Sequence, residues 1–75
     1  MKLENLQRKL KSRGIEIISV DAISNIVLCH LPYNECTPYV TWEFNDQGDT
    51  FWGNYFEDID AARDDFNNRI SYRNS

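Results

Sequence analysis

Glycine, proline, cysteine and histidine are all scarce in this chain. Its 75 residues hold three glycines, two prolines, two cysteines and one histidine. So few glycines leave no phosphate-cradling loop, and no nucleophile elbow is present. The single histidine, His30, rules out a two-histidine metal helix. Cys29 and Cys36 are too few for a disulfide framework and match no zinc-ligand spacing. In a cytosol both stay reduced. His30 beside Cys29 invites a thiol–imidazole pair, but neighbours on a strand point to opposite faces. Long apolar runs are also missing. The longest, Ile26 to Leu31, contains His30 and falls far short of the roughly 20 residues that cross a bilayer. The N-terminal MKLENLQRKLKSRG spreads charge along its length, without the apolar block of a signal peptide. These absences predict a cytoplasmic chain, not an enzyme, with no cofactor, no metal and no membrane partner.

Aromatic residues, by contrast, are concentrated. Between Thr37 and Phe56 stand Tyr39, Trp42, Phe44, Phe51, Trp52, Tyr55 and Phe56, seven of the ten in the chain. One domain, residues 1–75, is all this length allows. So small a domain buries only about 60 % of its unfolded surface, and large rings are an efficient way to fill a thin core. The question is whether every ring is needed inside.

Charge is divided unevenly. Lys2, Arg8, Lys9, Lys11 and Arg13 face Glu4 alone in the first thirteen residues, whereas Arg63, Arg69 and Arg73 face eleven acids in the rest; the net charge is −4. A basic beginning thus rides on an acidic body. The carboxylates Glu57, Asp58, Asp60, Asp64 and Asp65 cluster near the C-terminus. Carboxylates do acid–base work when buried near one another; these read instead as the solvated start of a helix, where negative charge suits the dipole.

Leu3, Leu6 and Leu10 recur at helical spacing, and Gly14 follows a basic last turn as a left-handed cap would. IEIISVDA and NIVLCHLP read as strands joined by a turn near Asp21 to Asn25. YVTWEF and TFWGNYF are the next two strands, with NDQGD as a polar turn. EDIDAARDDFNNRISYRN reads as a helix with Asp58 as N-cap; Ile59, Ala62, Phe66 and Ile70 form its apolar stripe, and Arg69 and Arg73 lie late. Short connections favour a meander. The prediction is an α+β fold in two layers, with an antiparallel sheet of three to four strands and both helices on one face. The cations of the first helix then fall within range of Asp60, Asp64 and Asp65.

Alternation across strands decides which aromatics share a face. A turn centred on Gln47-Gly48 sets Phe44 opposite Phe51, Trp42 opposite Gly53 and Val40 opposite Tyr55. That gives a nearly apolar face, with the Trp42 ring lying over the glycine gap. A five-residue loop from Asn45 to Asp49 would instead set Trp42 beside Trp52 and scatter Phe51 and Tyr55 onto the polar face. The first register segregates better. It places Tyr39, Thr41, Glu43, Trp52 and Asn54 on the other, open face. An exposed tryptophan there is either an ordinary surface ring or a binding residue. These five residues are therefore the candidate partner-binding set, for a protein partner or for a homodimer through the open face.

Tyr39-Val40-Thr41-Trp42, then Gly53-Asn54-Tyr55-Phe56, then Ala62-Arg63-Asp64-Asp65-Phe66-Asn67-Asn68-Arg69 together resemble the pattern of a family of small uncharacterised proteins of phages, plasmids and other mobile elements of Gram-positive bacteria. Asn54 stands where that pattern has a histidine. The resemblance covers about the second half of the chain and implies a mobile-element setting, in which small acidic proteins bind a host or rival protein. The expected function is a non-catalytic protein-interaction module. One alternative is an inhibitor of the anti-CRISPR or anti-restriction type, imitating nucleic acid with its acidic surface. The helix–strands–helix order also resembles the double-stranded-RNA-binding domain, but that domain is basic at its second helix, where this chain is acidic. A net charge of −4 predicts no nucleic-acid partner.

Overall fold

The leucine spacing at the N-terminus gives a helix, α1 (Lys2–Ser12), in the computed structural model of the chain, which describes residues 2–74. Arg73, expected late in the last helix, has its side chain outside that description. Leu6 and Leu10 are buried, and Leu3 packs beside them. Gly14 ends the helix at φ 73°. Its N–H bonds the Lys11 carbonyl, and the Ile15 N–H reaches back to Leu10, as a Schellman cap requires. Ile15 and Leu10 then meet in the core.

Strands β1 (Glu16–Asp21), β2 (Ile26–His30), β3 (Tyr39–Phe44) and β4 (Thr50–Phe56) follow, and helix α2 (Ile59–Asn74) closes the chain. The strands form one antiparallel meander in chain order. The chain is thus the α+β fold that its pattern predicts.

The helices do not share a face. Leu6 and Leu10 of α1 pack with Val27, Cys29, Val40, Trp42 and Phe44. The alternate residues of the same strands, Ile26, Leu28 and Thr41, are equally buried, and Thr41 bonds Asp65 of α2. So α1 covers one side of the sheet and α2 the other. The physical reason lies in β2, where Ile26, Val27, Leu28 and Cys29 are apolar in succession and all buried. A strand apolar on both sides needs cover on both.

The cations of α1 accordingly stay on their own side, away from Asp60, Asp64 and Asp65. Lys9 pairs with Asp49 at 2.7 Å; its ammonium holds that carboxyl below the usual carboxylate range. Lys2 donates to the Ala22 carbonyl at 2.7 Å and to Asn25 Oδ1 at 2.6 Å. Arg13 lies over the Trp42 ring, 5.7 Å from its centroid.

Between β3 and β4 both expected registers occur, one after the other. Val40 pairs with Tyr55 and Thr41 with Asn54, as the apolar face requires. The ladder then shifts, so that Glu43 pairs with Phe51 and Phe44 with Thr50. The pairing of Phe44 with Phe51 is thereby corrected, and Phe51 moves to the Glu43 side. The shift follows from the loop. Asn45 Oδ1 accepts the N–H groups of Gln47 and Asp49, and Gly48 turns at φ 82° directly against the α1 backbone. A Cβ on Gly48 would stand 2.6 Å from the Asn5 carbonyl carbon. The five-residue loop fixes one register, the core fixes the other, and a bulge at Trp52 and Gly53 reconciles them.

Candidate functional site

At that bulge Trp52 adopts φ 53°. A left-handed conformation is rare for a bulky residue and costs of order 1–3 kcal/mol. Arg69 holds it directly, and Asp65, Thr41 and Asn54 hold Arg69 in turn. Arg69 of α2 donates from Nη2 to the Trp52 carbonyl at 2.7 Å. The Arg69 Nε lies 3.3 Å from Asp65 Oδ2. The same Asp65 oxygen accepts the Thr41 hydroxyl at 2.5 Å and the Asn54 amide at 3.2 Å. Asp65 and Arg69, one turn apart, face the sheet with Ala62, so α2 joins β3 and β4 through polar contacts.

The Trp52 ring is left 71 % exposed. It stands edge-on to Phe51, with centroids 5.3 Å apart. Tyr72, on the last turns of α2, is exposed as well. Together with Ile26, Glu43, Asn68 and Arg69 these two rings line an open groove of about 680 Å³. That is within the size range of ligand-binding clefts.

The five predicted site residues do lie on one side of the sheet, but that side is not open, because α2 crosses it. Thr41 is fully buried and serves Asp65. Asn54 also serves Asp65. Tyr39 is half-buried against His30, with ring centroids 5.4 Å apart. Glu43 and Trp52 alone of the five line the groove. A dimer through an uncovered sheet face is therefore not available. Sequence reasoning missed Asn68, Arg69 and Tyr72. Their spacing by three and four along a helix was the signal that they share a face.

The remaining candidates separate. Trp42 is buried at 6 % exposure, beneath Gly53. Tyr55 meets it edge-on at 6.3 Å yet stays half exposed on the edge strand. Cys29 lies in the α1-side core, and burial pushes its thiol up to about 12. Cys36 is exposed in the loop after β2; both cysteines are free. His30 Nδ1 lies 3.6 Å from Glu16 Oε1. Of the acidic cluster, Glu57, Asp58, Asp60 and Asp64 are exposed, whereas Asp65 turns inward. Among the described residues no three histidine, cysteine or carboxylate side chains gather to hold a metal. No described helix is long and apolar enough to cross a membrane.

Fold and groove together define a small α+β domain whose antiparallel sheet lies between two helices and presents a tryptophan at a bulge. No family model, curated protein or solved structure matches the chain.

Proposed function

We propose that the chain is a non-catalytic interaction module that takes a segment of another protein into the groove beside Trp52 and Tyr72. The observation that carries this reading is Trp52 itself. Its backbone is held in a disfavoured conformation while its ring is left 71 % exposed. Strain of this kind collects at functional positions. Tryptophan, tyrosine and arginine, all present in the groove, are the residues that dominate interface energetics. The mobile-element resemblance supports a host or rival protein as the partner.

The exposed carboxylates Glu57, Asp58, Asp60 and Asp64 support a second reading, an inhibitor that imitates nucleic acid with the outer side of α2. Against it, Asp65 is turned inward and Arg63 is exposed among those acids.

The test is a pull-down from bacterial lysate with the wild-type protein and with Trp52→Ala as baits. A partner retained by the first and lost by the second, and still retained at raised salt, is the expected result. Equal retention by both baits would sink the groove reading. Retention that disappears with salt would favour the nucleic-acid mimic, since screening weakens charge-driven contacts.

A further inference from the structure

The two ends of β4 are held from opposite sides of the sheet. Before its start, Gly48 lies against the α1 backbone, the Asn5 amide donates to the Asp46 carbonyl at 2.9 Å, and Lys9 pairs with Asp49. Towards its end, Asn54 pairs with Thr41, and both side chains bond Asp65 of α2. The registers at the two ends differ by one residue, and Trp52 absorbs the difference. Continued without a bulge, the ladder that joins Val40 to Tyr55 and Thr41 to Asn54 would bring Phe51 opposite Phe44 on the α1 side. Trp52 would then be an ordinary strand residue. That register relieves the left-handed backbone and offers half-buried Phe51 a place beside the buried Phe44. Arg69 opposes it at the bulge itself, through the 2.7 Å bond from Nη2 to the Trp52 carbonyl. A bond from a charged donor is among the stronger ones, and it is comparable in size to the strain it offsets. The Arg69 side chain is only 20 % exposed and is braced by Asp65.

We infer that Arg69, braced by Asp65, is the positioning residue of the groove: of the two registers open to β4, it selects the one that displays Trp52. The inference takes its purpose from the interaction-module reading, but its geometry is independent of any partner. Arg69 lines the groove and holds the backbone of the groove's main ring. The Arg69 side chain acts on recognition through Trp52, and the pair with Asp65 works as a latch. With the latch closed, the bulge persists and the ring faces outward. With it open, β4 slides by one residue, the bulge is lost and Phe51 turns inward.

The test uses the full chain, labelled with nitrogen-15 and carbon-13, as wild type, Arg69→Met and Asp65→Asn. Methionine keeps an apolar stem and removes the donor. Asparagine keeps an acceptor for Thr41 and removes the charge that braces Arg69. Two nuclear Overhauser signals read the register. In the wild type Trp52 should show the strong contact between its own amide and α protons that a positive φ produces, and the rings of Phe44 and Phe51 should show none. In Arg69→Met the first signal should weaken and a contact between the two phenylalanine rings should appear, while the Trp42 indole stays buried. A purely structural role for Arg69 would lower the urea midpoint and leave both signals as they were. That result in a folded Arg69→Met protein would overturn the inference. Should Arg69→Met fail to fold, Asp65→Asn decides by the same two signals. The pull-down addresses the other reading separately: a partner held without regard to Trp52 would sink the interaction module and leave the latch standing, whereas unchanged signals would sink the latch and leave the module standing.

Discussion

Thr41 of β3 and Asp65 of α2 are joined by a hydrogen bond of 2.5 Å across the boundary between sheet and helix, and Thr41 has no exposed surface. Removing the carboxylate leaves a buried hydroxyl without that acceptor and frees Arg69 and Asn54 as well. Asp65→Ala should therefore cost about 1–3 kcal/mol in urea unfolding. Thr41→Val in the same background should recover part of that loss, because the hydroxyl is then gone. Strict additivity of the two substitutions would show that the bond contributes nothing of its own.

Gly53 is a position for glycine alone. A Cβ there would stand 2.5 Å from the Trp42 Nε1. Gly53→Ala should push the indole aside and destabilise the fold by about 1–3 kcal/mol, the usual effect of overfilling a packed site. Trp42→Ala, which deletes a buried ring, should cost about 3–5 kcal/mol. Denaturant melts that rank Trp52→Ala as more damaging than Trp42→Ala would contradict this arrangement of the two rings.

Trp52→Gly separates strain from recognition. Glycine adopts φ 53° without penalty, so this variant should unfold at a urea midpoint equal to or above that of the wild type. The same protein should lose its groove ligand. A fall in stability comparable to that of Trp42→Ala would make the ring structural and remove the main support for the interaction reading.

The two thiols should behave oppositely. Cys36 is exposed and should alkylate in the native protein, whereas Cys29 is buried and should react only on unfolding, as mass spectrometry without reductant can show. Burial raises the Cys29 thiol from an ordinary 9.0 to about 12. The unfolded chain then releases that proton at lower pH than the folded one. Stability contributed by the neutral thiol is complete below pH 9 and declines as pH rises from there towards 12. Cys29→Ala should flatten that alkaline decline in melts compared across pH.

Duplex DNA or RNA should not bind at physiological salt. Lys9 is paired with Asp49, Lys2 is bonded to the turn after β1, and Arg13, just past α1, lies on Trp42, so three cations of the basic N-terminal segment are already engaged. Fluorescence anisotropy is the check. Binding at about micromolar concentration that weakens steeply between 50 and 200 mM salt would contradict the expectation.

Much of the architecture was legible in the residues. The Gly14 cap, the four strands and the seat of Trp42 over Gly53 each follow from local chemistry that packing did not override. The placement of the helices was misread, although β2 held the clue: four successive buried apolar residues mean a strand enclosed on both sides. The bulge was harder to see. A left-handed residue is ordinarily glycine, and here the glycine sits one position later while Trp52 takes the turn. Asp65 looked like one more solvated acid of an acidic helix. Only the sheet crossing beneath it, with Thr41 and Asn54 as donors, makes it an organising group. The groove was half legible, since Glu43 and Trp52 follow from strand parity whereas Arg69 and Tyr72 depend on which side α2 occupies.

The irregularities of the sheet have a consequence for its behaviour in a crowded solution. β1 and β4 are the outer strands, and each carries a register shift, at Ile18 and at Trp52. A flat outer strand is a template on which further copies can add and polymerise. Here a copy arriving at either side would find the ladder broken partway along, with its donors and acceptors out of step. The chain can thus display a tryptophan at its border without that border becoming a growth point for fibrils.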